Sequence, residues 1–135
     1  MIYLHIGYPK TGTTTIQSGL LDNRPLLEQY GYYYPRSGIF IHGHHNIYYE
    51  LAAKDRTVEK LSNRFVSENG SLSDLVAELS KFKEMDSMAN FIISSEAYFT
   101  LKEPYFKELI ERLNEVDDIT AVSYTHLTLP TTPYV

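Results

Sequence analysis

The stretch Ile2–Gln17, which reads IYLHIGYPKTGTTTIQ, decides the fold. A short apolar strand runs into a turn rich in glycine and threonine, and a helix begins where that turn ends. Gly7 and Gly12 let the backbone wrap closely around an oxyanion, and the helix that follows directs free amide groups towards it. Three threonine hydroxyls add donors at the same place, those of Thr13, Thr14 and Thr15. The stretch therefore predicts a binding loop for a phosphate-like anion.

The lysine of this loop is displaced from the place it has in the nucleotide-binding pattern GxxxxGK[ST]. Gly7 and Gly12 match the two glycines of that pattern, but Thr13 stands where its lysine should be, and the lysine of this chain is Lys10. In an ATPase or GTPase the lysine reaches the β- and γ-phosphates from the start of the helix. The displacement therefore argues against an ordinary nucleoside triphosphatase.

The segment YPKTGTT, residues 8–14, resembles the 5′-phosphosulfate-binding loop of the sulfotransferases that use 3′-phosphoadenosine 5′-phosphosulfate (PAPS), and HIGYPKTGTTTIQ is most similar to their bacterial members. The resemblance implies a nucleotide-kinase-like α/β fold and transfer of a sulfuryl group from PAPS, a cosubstrate, without a catalytic metal. It also implies that Lys10 contacts the 5′-phosphate and the bridging oxygen of the leaving group. The residues that it assigns to the phosphosulfate site are Pro9, Lys10, Thr11, Gly12, Thr13, Thr14 and Thr15.

Glu96 is the second candidate, because it follows the apolar run Phe91–Ser94 at the end where open α/β sheets bind their ligands. Lys10 follows the first strand in the same way, so neighbouring strands would bring a carboxylate and an ammonium group into one crevice. FIISSE, residues 91–96, is similar to the strand of cytosolic sulfotransferases that ends in a catalytic histidine. The resemblance implies that Glu96 takes the place of that histidine as the base. In glycosaminoglycan and tyrosyl-protein sulfotransferases the base is also a glutamate, although it lies elsewhere in their sequences. The alternative is that the Glu96 carboxylate caps a following turn or helix.

The segment HGHHN contains three further candidates, His42, His44 and His45. Clustered imidazoles can bind a metal or act as a base. A zinc site needs ligands at defined separations and usually a fourth group, which the sequence does not offer. We therefore predict no metal site here, but a loop that lines the acceptor cleft. The base would be Glu96 or one of these histidines. The alternative is that all three are plain surface histidines. His5, in the first strand, is predicted to be a core histidine.

Strands that alternate with helices predict an α/β fold, a partial doubly wound parallel sheet of the P-loop nucleotide-kinase-like type. The 135 residues supply fewer strands than a complete sheet of this type needs, so we expect one truncated domain. Strands are predicted at Ile2–Ile6, Phe91–Ser94 and from Ile119, and an extended segment at Tyr32–Tyr34. Helices are predicted at Thr13–Leu21, Arg24–Tyr30, Asn46–Lys54, Thr57–Val66, Ser71–Met85 and from Pro104.

The end of the chain has an unusual origin. Val122–Thr131, VSYTHLTLPT, is the translation in one frame of a transposase sequencing adaptor. We therefore expect residues 122–135 to be a non-native read-through tail and residues 1–121 to be the N-terminal part of a sulfotransferase domain. The arginine and serine that bind the 3′-phosphate in the family would follow Val122, so we expect this fragment to bind PAPS weakly and to transfer little sulfate. A genuine tail rich in threonine and proline is the alternative.

The net charge is −5 without a basic run, which argues against a nucleic-acid partner. The expected partner is a small-molecule or glycan acceptor. Neither a leader segment nor an apolar run of about 18 residues is present, so we expect a cytoplasmic protein without a membrane span. Two other functions stay open: a P-loop kinase-like phosphotransferase that needs ATP and Mg²⁺, and a non-catalytic module that binds an anion.

Overall fold

The computed structural model describes residues 1–6, 13–55 and 64–122, and for Thr13 and Thr14 the backbone alone. Strands occur in these ranges at β1 Ile2–His5, β2 Tyr32–Tyr33, β3 Asn90–Ser94 and β4 Ile119–Val122. Helices occur at α1 Thr13–Asp22, α2 Arg24–Gln29, α3 His45–Ala52, α4 Leu72–Met85 and α5 Glu103–Asn114. Two 3-10 turns lie at Ser67–Asn69 and Glu96–Thr100.

The described strands form one sheet in which every pairing is parallel and the order is β2-β3-β1-β4. The strand β1 is therefore interior: His5 pairs with Ser94 of β3 on one side and with Val122 of β4 on the other. This confirms the predicted α/β class with a parallel sheet. The order differs from the 3-2-1-4 arrangement of dinucleotide-binding domains.

The two faces of the sheet are covered differently. The connection that follows β1 runs towards the β2 edge of the sheet, whereas the connection that follows β3 runs towards the β4 edge. Because such connections are right-handed, the helices of these two connections lie on opposite faces of the sheet. On one face, α3, α4 and α5 bury the main core against Ile2 and Leu4 of β1 and Phe91 and Ile93 of β3. On the opposite face lie α1 and the side chains of Tyr3, His5 and Ile92, which together line a cleft. The ends of β1 and β3 thus lie where the connections diverge, the usual ligand position in such sheets.

Local signals in the sequence account for several elements. Ser71 accepts a hydrogen bond from the amide of Asp74, whose carboxylate accepts one from the amide of Ser71, and this capping box begins α4. Pro104 lies in the first turn of α5, where its missing amide hydrogen is not needed. Gly31 follows α2 with a φ of 81°, a conformation that favours glycine. These helices and their ends confirm the predictions.

The predicted helix over 57–66 lies largely outside the described residues. Its last part was wrong, because Arg64–Val66 is not helical. The buried side chain of Asn46 explains the difference: its Oδ1 accepts a hydrogen bond from the amide of Val66 at 2.9 Å and its Nδ2 donates one to the Val66 carbonyl at 2.8 Å. The backbone groups that a helix would have used are therefore satisfied by a side chain.

The helices of the described residues include none that is long and apolar enough to cross a membrane.

Candidate functional site

The carboxyl ends of β1 and β3 lie side by side, which meets the condition under which Lys10 and Glu96 were expected to share one crevice. His5, the last residue of β1, pairs with Ser94, the last residue of β3, and Glu96 follows two positions later. The predicted anion loop connects this end of β1 to the start of α1 at Thr13. Thr15 is exposed in the first turn of that helix. The other loop residues assigned to the anion, Pro9, Lys10, Thr11 and Gly12, lie outside the described residues, as do the side chains of Thr13 and Thr14.

Gln17 joins this edge of the sheet to Glu96. Its side-chain amide nitrogen, Nε2, lies 3.0 Å from Oγ of Ser94 and 3.0 Å from Oε2 of Glu96, and it donates hydrogen bonds to both. The ring nitrogen Nδ1 of His5 lies 2.7 Å from the same Oγ of Ser94. Gln17 is only 1% exposed, so the amide is fixed within the protein. The sequence analysis missed Gln17, although a polar residue on the inward face of the helix after an anion loop was a usable signal.

The carboxylate of Glu96 does not cap the 3-10 turn that begins there. Ser95 does so, because its Oγ accepts a hydrogen bond from the amide of Ala97 at 3.2 Å. The N-cap is therefore Ser95, while Glu96 lies in the first turn of the same 3-10 helix. Its carboxylate points instead towards Gln17 and His45 and lines a cleft.

His45 stands opposite Glu96 in that cleft. Its Nδ1 lies 2.6 Å from Oγ of Ser95, and its Nε2 lies 4.0 Å from Oε2 of Glu96. Burial lowers the pKa of His45 below its ordinary value of 6.5, and nearby Glu96 partly offsets that change while His42 adds to it. His45 is thus mainly neutral at neutral pH. Nε2 of His45 and Oε2 of Glu96 are 4.0 Å apart, close enough for one hydroxyl group beside the pair to hydrogen-bond to both, an arrangement suited to proton transfer.

His44, by contrast, is a structural residue. Its Nδ1 accepts a hydrogen bond from the amide of Ser94 at 3.0 Å, and its Nε2 donates one to the carbonyl of Pro35 at 2.9 Å. The ring is fully buried, and burial lowers the pKa of His44 to about 3. Both nitrogens are occupied and the ring stays neutral, so His44 is excluded as the base. Its role is to fix the loop after Pro35 to the end of β3.

The cleft that contains Glu96 has a volume of about 460 Å³ and combines polar and apolar walls. Its lining is formed by Gln17, Phe40, Ile41, His42, His45, Tyr49, Arg64, Glu96 and Ala97. The predicted loop around HGHHN therefore does line a cleft, through His42 and His45. A larger cleft of about 530 Å³ lies on the α1 face of the sheet. Its lining is mostly apolar and, among the residues that the structure describes, includes no carboxylate, so the smaller cleft is the better candidate for chemistry.

Within the part of the chain that the structure describes, no group of three His, Cys, Asp or Glu side chains is placed to hold a metal ion. The three histidines therefore do not form a shared site in these residues. His42 lines the cleft, His44 is buried, and His45 lines the cleft and faces Glu96.

Comparisons with protein-family models, with curated proteins and with solved structures found no match to this chain.

Proposed function

We propose that this chain is the N-terminal part of a PAPS-dependent sulfotransferase domain with a nucleotide-kinase-like sheet. The observation that carries the proposal is the parallel pairing of β1 with β3. The predicted anion loop leaves the end of β1, while Glu96 and His45 lie beyond the end of β3 in one cleft. This arrangement supports a site in which the transferable group and the base meet at the same edge of the sheet.

The start of α1 supports the placement of the anion. This helix of 10 residues has no acidic side chain in its first turn, and it begins directly after the loop that carries Lys10. The unpaired amides of a helix N-terminus favour a bound anion. The interior position of β1 supports a nucleotide-kinase-like sheet, because the loop then opens between two neighbouring strands.

The proposed reaction is an in-line substitution at sulfur. The oxygen of the acceptor hydroxyl forms a bond to sulfur, and Glu96 accepts the proton that this hydroxyl loses. The bond between sulfur and the bridging oxygen breaks, and its electron pair leaves with 3′-phosphoadenosine 5′-phosphate. Lys10 and the loop amides stabilise the negative charge that develops on that leaving group. Gln17 holds Glu96 in position through the hydrogen bond to its Oε2.

Binding of nucleotides tests the proposal and separates it from the other two functions. We would titrate the chain with PAPS, ATP with Mg²⁺ and inorganic phosphate, and follow binding by NMR because weak binding is expected. The variant is Lys10→Ala, and Lys81→Ala, which removes an exposed lysine of α4, is the matched control. We expect PAPS to bind best and Lys10→Ala to weaken PAPS binding by about 10- to 100-fold, the effect of losing a charged hydrogen bond.

Two results would contradict the proposal. Preferred binding of ATP with Mg²⁺, followed by phosphoryl transfer, would support the phosphotransferase. Equal affinity for PAPS and inorganic phosphate, without any transfer, would support the anion-binding module.

A further inference from the structure

The strand β4 forms one edge of the sheet. Among the residues that the structure describes, it pairs with β1 on one side and with no strand on the other. The pairing with β1 is continuous from Ile119 to Val122, so the strand contains no bulge. Its sequence, ITAV, contains neither a charged residue nor a proline. Bulges, charges and prolines are the usual protection of an edge strand, and β4 has none of them.

Alternate residues of β4 direct their backbone groups towards this edge. The carbonyls of Asp118 and Val122 accept hydrogen bonds from amides on the β1 side, at 2.7 Å and 2.9 Å. In a parallel pair, every second residue of a strand bonds to the same neighbour, so Thr120 also faces β1. The amides and carbonyls of Ile119 and Ala121 therefore point away from β1. They form a row of two donors and two acceptors along the edge.

The side chains of β4 extend both layers of the domain. Ile119 packs against the main core, whereas Val122 lines the larger cleft on the opposite face of the sheet. Because side chains alternate along a strand, Ala121 shares the face of Ile119, and Thr120 shares the face of Val122. A strand that pairs with this edge must therefore present uncharged side chains on both of its faces. β4 is itself a strand of this kind.

We propose that the β4 edge pairs with the β4 edge of a second copy of the chain, antiparallel and across a twofold axis perpendicular to the sheet. Ile119 then lies opposite Ala121 of the second copy and exchanges two backbone hydrogen bonds with it, and the symmetric pair adds two more. This register uses all the outward backbone groups of both residues. It places Thr120 opposite its own counterpart at the axis, with Cβ atoms about 5 Å apart.

Charge spacing and strand length favour this arrangement. Asp118, which is exposed, directly precedes β4. The antiparallel pairing holds the two Asp118 residues about 14 Å apart, beyond the screening length of about 8 to 10 Å. A parallel pairing in register would place them about 5 Å apart, where like charges repel. The opposite edge of the described sheet, β2, has only the two residues Tyr32–Tyr33, so the assembly ends at a dimer.

The inference goes beyond the proposed function and does not depend on it. None of the residues Ile119–Val122 lines the cleft that contains Glu96. The paired edges are short and bury less than the roughly 1,200 Å² of a stable interface. We therefore expect a weak dimer with a Kd of about 10 μM.

Sedimentation velocity over about 1 to 200 μM protein tests the inference. The variants Thr120→Lys and Thr120→Glu each place like charges opposite each other at the axis, so each should weaken association at least about tenfold. An equimolar mixture of the two should dimerise at least as well as the wild-type chain, because an ammonium group then faces a carboxylate. Ser73→Lys and Ser73→Glu, which change an exposed serine of α4, are the matched controls and should dimerise like the wild-type chain.

Ala121→Pro is a second test that adds no charge. It removes an outward amide and leaves the hydrogen bonds between β4 and β1 in place, so it should be monomeric with an unchanged circular dichroism spectrum. The inference would be overturned if the wild-type chain stayed monomeric at the highest concentration, or if Ala121→Pro dimerised like the wild-type chain. A mixture of the two Thr120 variants that stayed monomeric would contradict the register.

Discussion

Gln17 and Glu96 are 79 positions apart in the chain, yet Nε2 of Gln17 donates a hydrogen bond to Oε2 of Glu96 at 3.0 Å. Gln17 belongs to α1, the helix that follows the predicted anion loop, and Glu96 begins the turn after β3. A shift of α1 on anion binding would therefore move the group that orients the proposed base. We regard Gln17 as a positioning residue, which acts through Glu96.

Substitution of Gln17 by leucine tests this role. The change removes the hydrogen bond to a charged group but keeps most of the side-chain volume. We expect the rate of sulfuryl transfer at saturating PAPS to fall by about 10- to 100-fold, with PAPS affinity nearly unchanged. Single-turnover transfer and a separate binding titration would measure the two quantities.

Gln17→Glu and Asn23→Ala serve as comparisons for that variant. Gln17→Glu places a second carboxylate beside Glu96, so it should move the pH profile of transfer to higher pH. Asn23→Ala removes an exposed side-chain amide that donates to the Gly19 carbonyl, and it should leave transfer unchanged. A fall in PAPS affinity with an unchanged transfer rate for Gln17→Leu would show that Gln17 does not position the base.

A pair of glycines tests the packing around Gln17. A Cβ at Gly43 would lie 2.8 Å from Cδ of Gln17 and 2.8 Å from the carbonyl oxygen of Ser94, whereas a Cβ at Gly19 would meet nothing within 4 Å. We expect Gly43→Ala to lower the free energy of unfolding by about 1 to 3 kcal/mol and to reduce transfer. Gly19→Ala, in the interior of α1, should raise the free energy of unfolding by about 0.5 to 1 kcal/mol. Urea denaturation measures both, and equal effects of the two substitutions would contradict this packing.

The buried histidine predicts how stability depends on pH. Burial lowers the pKa of His44 to about 3 in the folded protein, from 6.5. Between these values the unfolded chain binds a proton that the folded protein does not, so stability falls as the pH falls below 6.5. The pKa values of His5 and His45 are also lowered by burial and act in the same direction.

At pH 5 the His44 contribution amounts to a loss of about 2 kcal/mol relative to pH 7.5. Urea denaturation at the two pH values would measure the loss. The variant His44→Gln, which cannot take up a proton, should lose about 2 kcal/mol less than the wild-type protein over the same interval. An equal loss in both proteins would mean that His44 does not titrate on unfolding.

Much of the fold was predictable because its signals are local. The capping box at Ser71, Pro104 in the first turn of α5 and the apolar runs of β1 and β3 each specify an element within a few residues. The end of the predicted helix over 57–66 failed because a distant side chain, that of Asn46, binds the Val66 backbone. Pairwise contacts of this kind leave no periodic pattern in the sequence.

The candidate site was predictable only in part, for the same reason. The position of Glu96 after a strand indicated that it would lie at the carboxyl edge of the sheet, and it follows the end of β3 there. The sequence did not separate the three histidines, because burial of His44 and the contact of His45 with Glu96 depend on how the loop folds against β3. The helical pattern indicates that Gln17 is a polar residue on the inward face of α1, but it does not reveal Ser94 and Glu96 as its partners.

Single-turnover transfer of labelled sulfate from PAPS to a mixture of small phenols, alcohols and glycans, with the protein in excess, tests the central claim most directly. The comparison is between the wild-type chain and Glu96→Gln, which keeps an oxygen to accept the hydrogen bond from Gln17. We predict slow transfer by the wild-type chain and a rate about 10²- to 10⁴-fold lower for Glu96→Gln, the effect of losing a general base, with PAPS binding unchanged. Equal rates for the two proteins, or no labelled product from the wild-type chain, would contradict the account.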